Sequence, residues 1–180
     1  MNEIKFKKVR DPHGHMSNFF KTQIIYDSRV YETSEHLYQS LKHVGTDHEK
    51  AVATANTAWA AMGLGRSSPS TMRPDWEQVK DDVMRVVVCL KYAQNHELAR
   101  QLVDTGDAVL IEHGFHDKYW ADGGDGSGRN MLGLILMETR EIMKADFEWA
   151  QKEEGGFRPS AYYAYVVAQR CGVTVAPCVP

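Results

Sequence analysis

Thr33-Ser34-Glu35-His36-Leu37-Tyr38-Gln39-Ser40-Leu41-Lys42 decides how this chain is read. Thr33 or Ser34 is an N-cap residue, whose side-chain oxygen takes one of the backbone N–H groups left free at a helix start. The helix is expected to run to about Val44, with Gly45 as its stop. Glu35, Tyr38, Gln39 and Lys42 fall three, four and seven positions apart and so share one face. Leu37 and Leu41 lie on another. The polar face reads in two ways. It is either a solvated surface carrying a Glu–Lys pair, the more ordinary case, or a carboxylate and an amine aimed into a cleft.

Outward from this segment the chain is mostly helical. Before it, Ile4–Val9 alternates loosely as a strand, and Gln23–Tyr26 and Arg29–Tyr31 flank Asp27-Ser28 as a short hairpin. Asp11–Phe20 between them is a loop rich in breakers and aromatics. After it, Thr46 and Glu49 form a capping box opening an Ala-rich helix to about Met62. Asp75, with Gln78 in the reciprocal position, caps a helix carrying Val79, Val83, Val86, Val87 and Leu90 at helical spacing. Asn95 caps a short helix ending at Gly106, and Val109-Leu110-Ile111 is a short strand. A long helix from about Asn130 to Ala150 puts Leu132, Ile135 and Leu136 on its apolar side. Glu153–Gly156 reads as a hinge, Ser160–Arg170 as one more helix, and Cys171–Pro180 as an irregular tail. The fold class is α+β: a predominantly helical single domain over 1–150 with a few short strands, and a C-terminal extension of unknown role over 151–180.

Composition agrees with one globular unit. A chain of 180 residues buries roughly 70% of its unfolded surface, enough to need no disulfide or metal staple. No apolar run approaches the ~20 residues of a membrane-spanning helix, so no membrane partner is expected. The first residues lack the apolar core of a signal peptide, which points to a cytoplasmic or nuclear address. Net charge is −3, which disfavours non-specific coating of nucleic acid but leaves room for a local basic patch around Lys42, Arg66 and Arg73. The three cysteines, Cys89, Cys171 and Cys178, include no CxxC pair, so zinc ribbons and disulfide scaffolds are disfavoured.

Two further clusters could carry chemistry. Asp117–Asn130 interleaves acids with Gly123, Gly124, Gly126 and Gly128 next to Tyr119-Trp120. It matches neither a dinucleotide fingerprint, a P-loop nor an EF-hand. It reads as a turn, or as a backbone that offers N–H groups to an anion or sugar beside a stacking Trp. Gly63–Ser68 places Arg66 after a glycine turn, a pattern suited to phosphate. His13, His15, His113 and His116 have no convincing metal-ligand partners, so metal-independent chemistry is expected. No Gly-x-Ser-x-Gly elbow is present, and Cys89 lies on an apolar helix.

Together the blocks resemble the NADAR family, described as N-glycosidases of riboflavin-biosynthesis intermediates and related substrates. Gly14–Phe19 resembles the family's GxxSNF, and Thr33–Gln39 its TSEHxxQ with Lys42 three residues on. Gly63–Arg66 is similar to MGR, Arg73–Lys80 to RxDWExVK, and Tyr119–Gly133 to YWGDGxxGxGxNxLG. The ordered set spans about Asp11 to Met143. Ala121 stands where the family usually has Gly, and residues 144–180 lie outside the match.

The resemblance implies hydrolysis of an N-glycosidic bond between ribose C1 and an exocyclic amine. The substrate would be ADP-ribose on the guanine amine of a nucleotide or nucleic acid, or a ribosylaminopyrimidine phosphate of riboflavin synthesis. A non-catalytic ADP-ribose- or NAD-binding module is the contrasting class. Breaking such a bond builds positive charge on the sugar, which a carboxylate stabilises. Glu35 is expected in that role or activating water, and Asp122 is the expected second carboxylate at the leaving nitrogen or the hydroxyls. Lys42, if largely uncharged, offers an imine route. Phe19 and Trp120 are expected to stack, with Trp76 and Arg129 also contacting substrate. Arg66 and the loop at Gly128 would hold phosphates, and Asn18 and Asn130 sugar hydroxyls. No cofactor is implied.

Overall fold

The computed structural model describes residues 2–151 and 158–175. The expected hinge at Glu153–Gly156, Cys178 and the last residues of the tail lie outside them. Four short strands are β1 (Glu3–Phe6), β2 (Lys21–Tyr26), β3 (Arg29–Thr33) and β4 (Val109–Glu112). The helices are α1 (Ser34–Ser40), α2 (Asp47–Ala53), α3 (Ala58–Ser67), α4 (Trp76–Ala93), α5 (His96–Val103), α6 (Met131–Gln151) and α7 (Pro159–Cys171). The α+β, mostly helical class is as expected. No described helix is long and apolar enough to cross a membrane.

β2 and β3 pair antiparallel, and Asp27 and Ser28 turn between them at φ 47° and 59°. Two consecutive left-handed residues give the turn whose twist matches a hairpin. β1 pairs parallel with β4, Glu3 opposite Val109 and Phe6 opposite Glu112, so distant parts of the chain meet at the end of β4.

α4 is the central column. Val83, Val86 and Val87 are buried, as their spacing predicts, and the helix packs against α1, α5, α6 and α7. Leu132, Ile135 and Leu136 bury the inner side of α6. α7, the helical part of the expected extension, buries Ala164, Val167 and Ala168 in the same core. The buried Asp146 of α6 anchors it, accepting from the Ser160 N–H at 2.8 Å and from Arg158 Nε at 2.7 Å.

Three local expectations are corrected. α1 stops at Ser40 rather than Val44, because Lys42 and His43 bond three residues back, to Gln39 and Ser40, and tighten the last turn. The Ala-rich helix is two helices, because Thr57 caps a second start by accepting from the Ala60 N–H at 3.1 Å. Asp75 does not cap α4 through its side chain: its carboxylate takes both arms of Arg73, at 2.6 and 2.8 Å.

Candidate functional site

Every residue of α1 is buried, including Glu35 and Gln39, and Lys42 just beyond it is only 8% exposed. The solvated-face reading therefore fails. Burying a carboxylate and an ammonium is costly unless something compensates, and here the polar face borders a cavity of about 390 Å3. The hairpin delivers α1 into it: Thr33 Oγ1 caps the helix at the His36 N–H, and the Glu35 N–H donates to the Asn18 carbonyl at 3.0 Å.

The cavity has a carboxylate floor, a cationic edge and an aromatic wall. Glu35, Glu112 and Asp117 all line it. Burial pushes the Glu35 carboxyl pKa up, opposed by Gln39 Nε2, which donates to it at 2.7 Å, and by the charges of Lys42 and Arg66. Burial pushes Glu112 up to about 8, and the neighbouring acids Asp117, Glu35 and Asp122 add to the rise. Glu35 thus has partners that support its anion, while the charges acting on Glu112 are those of Asp117, Glu35 and Asp122, which favour its protonated form at neutral pH. Lys42 is lowered to about 8, first by burial and also by Arg66, against the pull of Glu35. Its Nζ lies 5.3 Å from the Trp76 ring centroid and 5.6 Å from that of Tyr38. Tyr38 packs on Trp76 and Trp120 at 5.1 and 5.6 Å, completing the wall.

Two carbonyl oxygens in this cavity's lining have no partner. Asn18 Oδ1 and Gln39 Oε1 are buried and accept no hydrogen bond among the described residues. An orphaned buried acceptor costs about 1–3 kcal/mol, and the Gln39 oxygen is packed against Gly65 of α3. The loop carrying Asn18 and Phe19 is pinned from α4 by Lys91, which is fully buried and donates to the carbonyls of His15 and, at 3.0 Å, of Ser17. Burial lowers the Lys91 amine to about 7.

Of the residues expected from sequence, Glu35, Lys42, Asn18, Phe19, Arg66, Trp76 and Trp120 come together in the cavity. Asp122, Gly128, Arg129 and Asn130 do not line it. The Asp122 carboxylate is engaged within its own loop, bonded to His113 Nδ1 at 2.9 Å and to the amides of Gly114 and Gly124. Burial raises its pKa, and these bonds outweigh that and hold it below the usual range. A side chain at Gly128 would collide with the Ala121 carbonyl, so this glycine serves close packing of the loop on itself. Arg129 is exposed, its guanidinium 4.8 Å from the Tyr119 ring centroid. Asn130 clasps β4, accepting from the Glu112 N–H at 2.9 Å and donating to the Leu110 carbonyl at 2.8 Å. Both polar atoms of its side chain are thus engaged in positioning Glu112. The local basic patch for which the charge balance left room does not form from Lys42, Arg66 and Arg73: Lys42 is buried, and Arg73 is bound to Asp75 and the Cys171 carbonyl.

Sequence reasoning missed Glu112, Asp117 and Lys91. For Glu112 the available signal was an acid closing the apolar run Val109-Leu110-Ile111. Asp117 accepts from the N–H groups of Tyr119 and Trp120 at 2.9 and 2.7 Å, and so orients the tryptophan that the sequence did single out. Among the described residues no group of three or more His, Cys, Asp or Glu is arranged to hold a metal ion.

Comparison with known proteins agrees with this geometry. The family described as the NADAR domain matches residues 5–144. N-glycosidase YbiA of Escherichia coli K12 is 38% identical over 138 residues, covering 77% of this chain and 86% of that protein. An N-glycosidase of Nostoc punctiforme is 36% identical over 144 residues, covering 78% and 92%. The chloroplastic riboflavin biosynthesis protein PYRR of Zea mays is 34% identical over 154 residues, covering 77% of this chain and 25% of that one. The NMR structure of E. coli YbiA superposes with a TM-score of 0.76 at 35% identity, covering 85% of this chain and 90% of that one.

Proposed function

The chain belongs to the NADAR domain family and is a hydrolase acting on N-glycosyl bonds, and we propose that it releases ADP-ribose from the exocyclic amine of guanine. The observation that carries this reading is the set of carboxyl groups Glu35, Glu112 and Asp117 gathered with Lys42 and the aromatic wall in the lining of one cavity. The Tyr38–Trp76–Trp120 wall offers stacking surface to a base, and Arg66 and Lys80 at the cavity edge offer charge to a diphosphate.

In the proposed reaction the bond from ribose C1 to nitrogen breaks, with its electron pair going to the nitrogen. Glu112, protonated at neutral pH, gives its proton to that nitrogen, the role first expected of Asp122. Glu35, whose anion Gln39, Lys42 and Arg66 support against the larger effect of burial, stabilises the cationic sugar. Water then adds to C1 and loses a proton to a cavity carboxylate, which leaves a C1 hydroxyl on ADP-ribose and the free amine on guanine.

Lys42 favours a second, covalent route to the same products. With its amine at about 8, a sizeable neutral fraction is present near that pH, able to exchange onto a ring-opened imine of the ribosyl amine with release of the guanine amine; water then hydrolyses the lysine imine, which frees Lys42 and a C1 aldehyde that recloses to ADP-ribose. Both routes run without a metal, so turnover in excess EDTA should equal turnover without it.

The substrate is tested by comparing kcat/KM on guanosine-linked ADP-ribose with that on a ribosylaminopyrimidine phosphate. A preference of tenfold or more for the former is expected. Equal rates, or the reverse order, would assign the enzyme to riboflavin-pathway intermediates instead. ADP-ribose binding without turnover of either substrate would indicate a binding module.

A further inference from the structure

A second groove, of about 700 Å3, opens beside the catalytic cavity and shares Phe19, Glu112 and Asp117 with it. Its outer rim is Lys7, Lys8 and Arg10, on the exposed strap after β1. Lys8 and Arg10 are in no ion pair among the described residues; the Lys7 ammonium sits 4.1 Å from the centroid of the exposed Phe115 ring. Across the groove stands Trp59 at the start of α3, 70% exposed and packed edge-on against Phe19 at 4.9 Å. The acids of the groove, Glu112 and Asp117, lie where it joins the cavity, so cations and an open aromatic face mark its outer part. In a chain of net charge −3, three clustered cations beside a large exposed tryptophan are a local departure that neither core packing nor loop geometry explains.

Resting on the proposed reaction, we infer that this groove holds single-stranded nucleic acid on the far side of the bond to be broken. Phosphates lie along Lys7, Lys8 and Arg10, and an unpaired base stacks on Trp59. A cationic track with an aromatic platform is the chemistry that binds single strands regardless of sequence. A duplex fits poorly, because the guanine amine is then engaged in pairing and must be splayed out to reach the catalytic cavity. With Phe19, Glu112 and Asp117 common to both spaces, a modified guanine delivered along the groove arrives with its amine at the proton donor.

The test compares one ADP-ribosyl-guanine as a mononucleoside and within a single-stranded oligonucleotide, in DNA and RNA arms. Wild type is expected to prefer the oligonucleotide by about tenfold or more in kcat/KM, with a preference that shrinks as salt rises. Lys8→Gln/Arg10→Gln should abolish most of that preference and leave the mononucleoside rate unchanged. Its logarithmic salt slope for oligonucleotide binding should be shallower by about 1.4, at ~0.7 per phosphate contact on a single strand. Trp59→Ala should weaken the oligonucleotide about tenfold, more than it affects the mononucleoside. Equal kcat/KM for the two substrates, or variants that leave the oligonucleotide untouched, would overturn the groove. If neither substrate is turned over, the proposed reaction fails. The groove is then judged by anisotropy with a labelled unmodified oligonucleotide, where loss of binding in both variants supports it and absence of wild-type binding overturns it.

Discussion

Glu35 and Glu112 face one cavity, and their surroundings set them apart. Glu35 accepts a hydrogen bond from Gln39 and feels Lys42 and Arg66, while Glu112 has Asp117, Glu35 and Asp122 for neighbours. Glu35→Gln keeps shape and removes charge. Single-turnover cleavage should fall by about 10²–10³, the typical effect of losing one electrostatic partner of the transition state. ADP-ribose carries no developing cation, so calorimetry should show its affinity little changed. Cleavage at the wild-type rate would leave Glu35 a purely structural residue. Glu112 acts only while protonated, so kcat/KM should fall as pH rises through about 8. Glu112→Gln should be slower throughout and should lack that alkaline descent. An unaltered profile would remove Glu112 from the reaction. Of this pair only Glu35 was legible in the sequence, because helical spacing displays partners seven residues apart on one surface. Glu112 ends a four-residue strand, and its neighbours reach it only through the fold. Asp122 misleads for the converse reason: it follows Trp120 closely in the chain, but the loop turns its carboxylate onto His113 and the loop's own amides.

At the scale of elements, most helices and the hairpin are legible, because apolar periodicity and turn chemistry are local properties. What escapes is where a continuous pattern is cut. Thr57 starts α3 inside an Ala-rich run with no loss of helical character on either side, and α1 ends in a tightened turn that no glycine marks. The approach of α1 to α3 is equally hidden, and it fixes the site. A methyl at Gly65 would collide with the Gln39 side chain, down to that residue's Cβ at 2.7 Å, so rotation of the amide alone cannot relieve it. Gly65→Ala gains at most about 1 kcal/mol of helix propensity against about 1–3 kcal/mol of overpacking. Urea denaturation should show a net loss of stability. Turnover should fall as well, because a displaced Gln39 stops donating to Glu35. A variant with both properties intact would show that the two helices have room to separate.

At the scale of the molecule, two long-range associations build the site, and neither is written in any local stretch. One is the parallel pairing of β1 with β4, which sets Glu112 and places the Lys7–Arg10 strap beside the cavity. The other is the closure of α7 on α4. The family match ends at residue 144, and the sequence alone presents the residues beyond Gln151 as an appendage. In the structure Ala164, Val167, Ala168, Cys171 and Val173 are all buried in the common core, and the Cys89 thiol of α4 donates to the Ser160 carbonyl at 3.5 Å. α4 also carries Trp76, Lys80 and Met84 of the cavity lining and the Lys91 that pins the Asn18–Phe19 loop. Loosening α7 should therefore reach the site through α4. Val167→Ala removes two methyl groups from a fully packed position, costing about 2 kcal/mol at ~0.8 kcal/mol per buried carbon plus a cavity contribution. It should lower the urea midpoint with the m-value unchanged and leave kcat near wild type. A chain ending at Gln151 exposes the opposite surface of α4 along its length, and it should lose the cooperative thermal transition and turnover together. If that shortened chain melts like the full one and cleaves at the same rate, α7 is an appendage after all, and the catalytic unit is complete without it.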